Sequence, residues 1–298
     1  LLLQLCHLEL TFMIFTVESG LRIAASVWGK DEDPLVILLP GGGQTRHAWK
    51  RAGEKLGQAG FWTVALDTRG HGDSDWHSDG DYSLVSLVDD VKTIINELGK
   101  PAAIVGASLG GILGISIAGD ESTKSLCWAL VMVDIGIYPN ASGAQEIVDF
   151  MKSGTNGYAS LDDAAKAVSE YLPHRKKPPD NSGLEKNLRK KEDGRYYWHW
   201  DPAFLDTRDD EINERYKRNR RVFAENVSAP TLLVQGAMSN VLTNDEVEDF
   251  LATIAHAEFA KIDNAAHMVA GDRNDIFASC AIEFLRMRKP KHHQKIGF

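Results

Sequence analysis

Cysteine is scarce in this chain. Cys6, Cys127 and Cys280 are the only three in 298 residues, odd in number and far apart. That excludes a disulfide framework and the paired spacing of a zinc site, and it points to a reducing, cytoplasmic setting. An excess of positive charge is also missing. Lysine and arginine total 33 against 42 aspartates and glutamates, a net charge of −9, which argues against a nucleic-acid partner or a membrane-surface role. Long apolar runs are absent as well. The richest, Leu1 to Phe15, is broken by Gln4, His7 and Glu9; it has no basic leader and is too short to span a bilayer. The pattern of ordered structure starts near Met13, so residues 1–12 and 289–298 are expected to be flexible tails. No repeats or low-complexity segments stand out.

What is present is Gly106-Ala107-Ser108-Leu109-Gly110, followed by Gly111. The preceding Ala102-Ala103-Ile104-Val105 reads as a buried strand, and Ile112 to Ala118 reads as the start of a helix. A serine at the tip of a sharp strand-to-helix turn is the setting of a nucleophile elbow. The glycines allow the tight turn and the close helix–strand approach. Ser108 is thus the candidate nucleophile, and the Leu109 N–H points toward the reacting carbonyl.

A serine hydroxyl needs a base, and the base needs an orienting group. In elbow-type enzymes the order along the chain is serine, acid, histidine. His267, in the loop Asn264-Ala265-Ala266-His267-Met268 beyond the last expected strand, is the candidate base; His47, His71, His174 and His199 are less well placed. The acid is expected just after the strand Thr231 to Gln235, where this chain carries Asn240. Two readings stay open. Asp134, at the end of the strand Ala129 to Val133, serves as or partly replaces the acid, or Asn240 alone holds His267. The second oxyanion donor is expected from Pro40-Gly41-Gly42-Gly43, with Gly42 the best candidate. A phosphate loop is the much weaker reading there, because no Gly-Lys-Ser/Thr follows. Arg69 and Ser74 read as loop ties. Gly43, Trp198 and Trp200 are the candidate pocket residues, although the run Tyr196 to Pro202 could equally be packing of one part of the chain on another.

Strands expected at 12–17, 21–27, 35–39, 61–66, 102–105, 129–134, 231–235 and 257–262 alternate with helices at 49–59, 84–98, 112–118, 244–254 and 275–287. This rhythm implies a mostly parallel sheet with helices on both faces. Between residues 137 and 226 it lapses into polar, helical pieces, so this segment is expected to be a helical cap over the sheet edge where ligands bind. The core is then 13–136 plus 227–288.

Four segments together resemble the α/β-hydrolase superfamily: LLPGGGQTRHAW at Leu38–Trp49, LDTRGHGDSDW at Leu66–Trp76, VGASLGG at Val105–Gly111 and NAAHMVAGDRND at Asn264–Asp275. The resemblance implies an eight-stranded sheet, no metal, no organic cofactor, and Ser108–His267 chemistry with the Gly42 and Leu109 amides. It departs from the family at Pro40, where histidine is usual, and at Asn240. Ser108 excludes the aspartate-nucleophile mechanisms of the superfamily. The implied activity is cleavage of a small, fairly apolar ester, thioester or lactone through an acyl-enzyme, with perhydrolysis or carbon–carbon bond cleavage by the same machinery as variants. The alternative, motivated by Asn240, is a small-molecule-binding protein that turns over poorly.

Overall fold

The computed structural model describes residues 11–173, 180–206, 211–269 and 274–290. Residues 1–10 and 291–298 of the expected tails, His174 and part of the Asn264–Asp275 segment therefore lie outside the described residues, while Thr11 and Phe12, expected in the tail, begin the first strand through their pairing with Val27 and Ser26. Eight strands form one sheet: β1 (Thr11–Thr16), β2 (Arg22–Trp28), β3 (Leu35–Leu39), β4 (Trp62–Leu66), β5 (Ala102–Ala107), β6 (Cys127–Val133), β9 (Thr231–Gly236) and β10 (Glu258–Ile262). Their order is β1-β2-β4-β3-β5-β6-β9-β10. The β1–β2 and β2–β4 pairs are antiparallel, and the pairs from β4 through β3, β5, β6 and β9 to β10 are parallel.

Both faces of this sheet are covered, which is why its central strands are apolar throughout rather than alternating. β3 shows the division. Leu35, Ile37 and Leu39 enter the core formed with α2 (Leu84–Glu97) and α3 (Leu109–Gly119). Val36 and Leu38 enter the opposite core, with α1 (Lys50–Gln58) and the C-terminal helix (Asn274–Arg288). α2 begins where the Ser83 hydroxyl accepts from the Ser86 N–H, and it ends before Gly99, which adopts φ 72°. Both ends follow from capping chemistry.

Between β6 and β9 lie α4 (Ala141–Ser153), α5 (Leu161–Tyr171), a short α6 (Ser182–Glu185) and α7 (Glu211–Asn226). The segment is not purely helical. β7 (Leu188–Lys190) and β8 (Tyr196–Trp198) form a small antiparallel ribbon, too short to give a strand signal in sequence. Met151, Ala164, Leu188, Trp198 and Trp200 make a separate apolar cluster beneath it. α7 packs along α3 instead. A Cβ at Gly119 would stand 2.0 Å from the Phe223 carbonyl oxygen, and Ala224 and Val227 join the main core. α8 (Asn244–Thr253) follows β9 behind a Thr243–Glu246 capping box, and the C-terminal helix is α9.

Candidate active site

Ser108 joins β5 to α3 in a strained conformation, φ 48° and ψ −114°. A non-glycine residue persists there only when its surroundings hold it. They do. The Ser108 N–H donates to the Val133 carbonyl at 3.2 Å, and the Ser108 carbonyl accepts from Gly111 at 2.9 Å and Ile112 at 3.1 Å. The flanking glycines are sterically required. A Cβ at Gly106 would stand 2.2 Å from Gly110 backbone atoms, and one at Gly110 would stand 2.3 Å from the Leu39 carbonyl oxygen.

The glycine loop after β3 runs beside this turn; a Cβ on Gly41 would stand 3.3 Å from the Ser108 Cβ. Neither the Leu109 N–H nor the Gly42 N–H has an acceptor among the described residues. Two unengaged amides beside Ser108 are free to donate to a bound oxygen. The next amide, Gly43, is not free: it donates to His71 Nε2 at 3.0 Å. The other ring nitrogen of His71 lies 3.1 Å from the Arg69 carbonyl oxygen. That oxygen can only accept, so Nδ1 carries the proton and the ring is neutral. Burial lowers the His71 pKa to about 4, which keeps it so. His71 thus fastens the glycine loop, which its place in the chain did not reveal. His199 Nδ1 accepts from Gly72 at 2.8 Å in the same cluster. Arg69 pairs with Asp90 at 2.6 Å, and Ser74 bridges Asp67 O and the Ala24 N–H. Both are loop ties.

His267 reaches the site from the loop after β10, and its Nδ1 lies 2.8 Å from Asp134 Oδ2. Asp134 is fully buried at the tip of β6, with φ 54°. Its other oxygen accepts from the Gly236 N–H at 2.7 Å, and Oδ2 also takes the Ser239 hydroxyl. With Nδ1–H held by a carboxylate, Nε2 of His267 is left as the basic nitrogen. The Ser108 hydroxyl has no hydrogen-bond partner among the described residues; Ser108 and His267 line the same cavity.

Asn240 does not fill the acid position. Its Nδ2 donates to Glu146 Oε2 at 2.6 Å, away from His267. The expected alternative, Asn240 alone orienting His267, is corrected accordingly: the His267 partner is Asp134. Ser239, next to Asn240, was overlooked in the sequence. Its hydroxyl donates to Asp134 and accepts from the Val241 and Leu242 N–H groups at 3.1 and 3.2 Å. No local sequence signal distinguishes it from an ordinary turn serine.

The cavity measures about 720 Å³, within the range of small-molecule sites. Gly42, Gly43, Ser108, Leu109, Trp198, Trp200 and His267 all line it. Trp198 and Trp200 stack with centroids 4.9 Å apart and are also part of the cap's own apolar cluster. These two residues thus line the cavity and pack within the 137–226 segment at once. No cluster of three or more His, Cys, Asp or Glu among the described residues is arranged to hold a metal ion. No helix among them is long and apolar enough to cross a membrane.

This arrangement of sheet, elbow and histidine–carboxylate pair defines the class. The α/β hydrolase fold family model matches residues 34–273, and the chain belongs to that family. It is an esterase-like hydrolase. It is 28% identical over 271 residues to Esterase Rv0045c of Mycobacterium tuberculosis, covering 86% of this chain and 84% of that protein. It is 24% identical over 264 residues to 3-hydroxybutyrate-oligomer hydrolase of Cupriavidus necator, covering 83% and 87%. The structure of E-2-(acetamidomethylene)succinate hydrolase superposes with a TM-score of 0.80 at 18% identity, covering 93% of this chain and all of that one; at that identity the likeness concerns the fold.

Proposed function

We propose that this chain hydrolyses a small, largely apolar carboxylic ester, thioester or lactone through an acyl-enzyme on Ser108. The observation that carries this reading is the convergence of a strained Ser108, two unengaged amides and the His267–Asp134 pair on one mostly apolar cavity. In the forward step Ser108 Oγ attacks the carbonyl carbon as its proton passes to His267 Nε2. Asp134 keeps the imidazole in the Nδ1–H form and stabilises the imidazolium. The Leu109 and Gly42 amides take the oxyanion; one such donor contributes roughly 3 kcal/mol. His267 returns the proton to the leaving alcohol or thiol. Water then attacks the acyl-enzyme with His267 again as base, releasing the acid and restoring Ser108.

The poorly active binding protein was motivated by Asn240, and the contact of Asn240 with Glu146 removes that motive. We place the chain in a reducing compartment, since Cys127 and Cys280 stand as free thiols. The test is steady-state hydrolysis of short p-nitrophenyl esters, with Ser108→Ala as the blank. Turnover well above the blank supports the reading; equality across acyl lengths defeats it.

A further inference from the structure

The cavity's charge is lopsided. In a chain with 42 acidic and 33 basic side chains, the described residues lining the cavity include Lys50 and Lys186 but no aspartate or glutamate. These cations are gathered rather than scattered. His47 lies on the short helical turn Arg46–Trp49 that runs directly into α1, whose first residue is Lys50. Lys186 approaches from the cap, at the end of α6, closely enough to act electrostatically on His47. Asn187, next to Lys186, is linked to Thr45 at 3.5 Å, so cap and glycine loop meet at this rim.

Of the two rim lysines, Lys50 shares an ion pair with Glu54 one turn along α1, and Lys186 has no such partner among the described residues. Asp67 and Asp73, which also act on His47, are both engaged by Arg46. Glu54 stands 4.0 Å from Lys50 on the solvent side of α1, where both are well exposed. Glu146 is occupied by Asn240. Lys186 makes no ion pair among the described residues.

Strand order locates this rim relative to the chemistry. Ser108 directly follows β5, and β3 and β6 flank that strand. The cationic rim descends from β3 and α6. The opposite wall descends from β6, α4 and β9, and is apolar: Ile135, Pro139, Ile147, Val148 and Val241. An ester bound at Ser108 therefore extends one arm toward hydrocarbon and the other toward lysines.

We propose that the substrate is an amphiphilic ester or thioester with an anionic terminus, carboxylate or phosphate, on the arm directed at Lys50 and Lys186. This rests on Ser108 being the nucleophile.

The test compares three forms of one ester series in the full chain: carboxylate-ended, phosphate-ended and methyl-capped. One set carries the end group on the acyl arm, as p-nitrophenyl esters of dicarboxylic acids. The other carries it on the alcohol arm, as butyrate esters of ω-hydroxy acids. At low ionic strength one charged form is expected to exceed its capped partner about fivefold or more in kcat/KM, chiefly through KM. Roughly 1 M salt should shrink that ratio. Lys186→Glu and Lys50→Glu should each reduce it and together bring it to one or below, with melting temperatures confirming the fold. Lys30→Glu, at an exposed turn remote from the rim, controls for net charge and should keep the ratio. Which charged form is preferred distinguishes carboxylate from phosphate. A capped ester hydrolysed as well as both charged forms on both arms would overturn the anionic assignment alone. Failure of every ester to exceed the Ser108→Ala blank would overturn the hydrolase reading beneath it.

Discussion

Gly43 donates its backbone N–H to Nε2 of His71 across 3.0 Å, tying the loop that holds the candidate oxyanion amide of Gly42 to a ring buried beneath it. The family places histidine where this chain has Pro40, so a second anchor for the loop matters here. His71→Ala is expected to lower kcat about tenfold with a smaller change in KM, because losing a whole oxyanion donor costs on the order of 10²–10³ and this change only loosens one. His71→Gln, whose carbonyl can still accept from Gly43, should recover part of the loss. Equal defects in the two variants would mean that His71 acts only as packing.

The same burial makes stability depend on pH. His71 titrates near 4 in the folded chain and near 6.5 when unfolded. The unfolded chain therefore binds the proton first as pH falls, so stability is full above about pH 6.5 and declines toward pH 4. This single group accounts for a loss on the order of 3 kcal/mol at the lower end. His199, also lowered by burial, acts in the same direction. Asp67 and Asp90, raised by burial, act in the opposite direction, adding stability as pH falls toward the ordinary aspartate range. The clean measurement is therefore a difference: urea midpoints at pH 7 and pH 4.5 should diverge less in His71→Gln than in the wild type.

Asp134 and Asn240 are separable by substitution. Asp134→Asn keeps the shape but removes the charge that stabilises the His267 imidazolium, and a fall in kcat on the order of 10⁴ is expected. Asn240→Ala breaks only the contact with Glu146 and should leave kcat within a few-fold. Single-turnover acylation, with near-UV circular dichroism to verify the fold, decides between them. Comparable losses in both would reinstate Asn240.

Ser239→Ala removes one donor to Asp134 and one acceptor for the Val241 and Leu242 amides. A destabilisation of roughly 1–3 kcal/mol is expected from the unsatisfied groups. A drop in kcat of about tenfold should accompany it, as Asp134 loses part of its fixed orientation. Denaturant unfolding and pH–rate profiles on one preparation test both; a stability loss with unchanged kcat would confine Ser239 to a structural role.

Much of the fold was legible because each element carries its own signal. The apolar run expected at 35–39 and the helix expected at 84–98 match β3 and α2 within a residue. β7 and β8 were not legible: at three residues each they are too short for an alternation to show, although Tyr196, Tyr197 and Trp198 favour strand.

By itself the sequence determined the alternation of buried strands and helices, the elbow at Ser108 and the loop histidine, because steric demands on glycines and periodic burial act over a few neighbouring residues. Tertiary structure decided what depends on distant segments arriving at one sheet edge. Asp134 and His267 are 133 positions apart, and they meet because β6 lies beside β9 and β10 follows it. His71 reaches Gly43 because β4 runs beside β3. Two lysines from separate segments face one cavity because the cap folds back over the glycine loop. Those relations are properties of strand order and packing, which local patterns constrain but do not spell out.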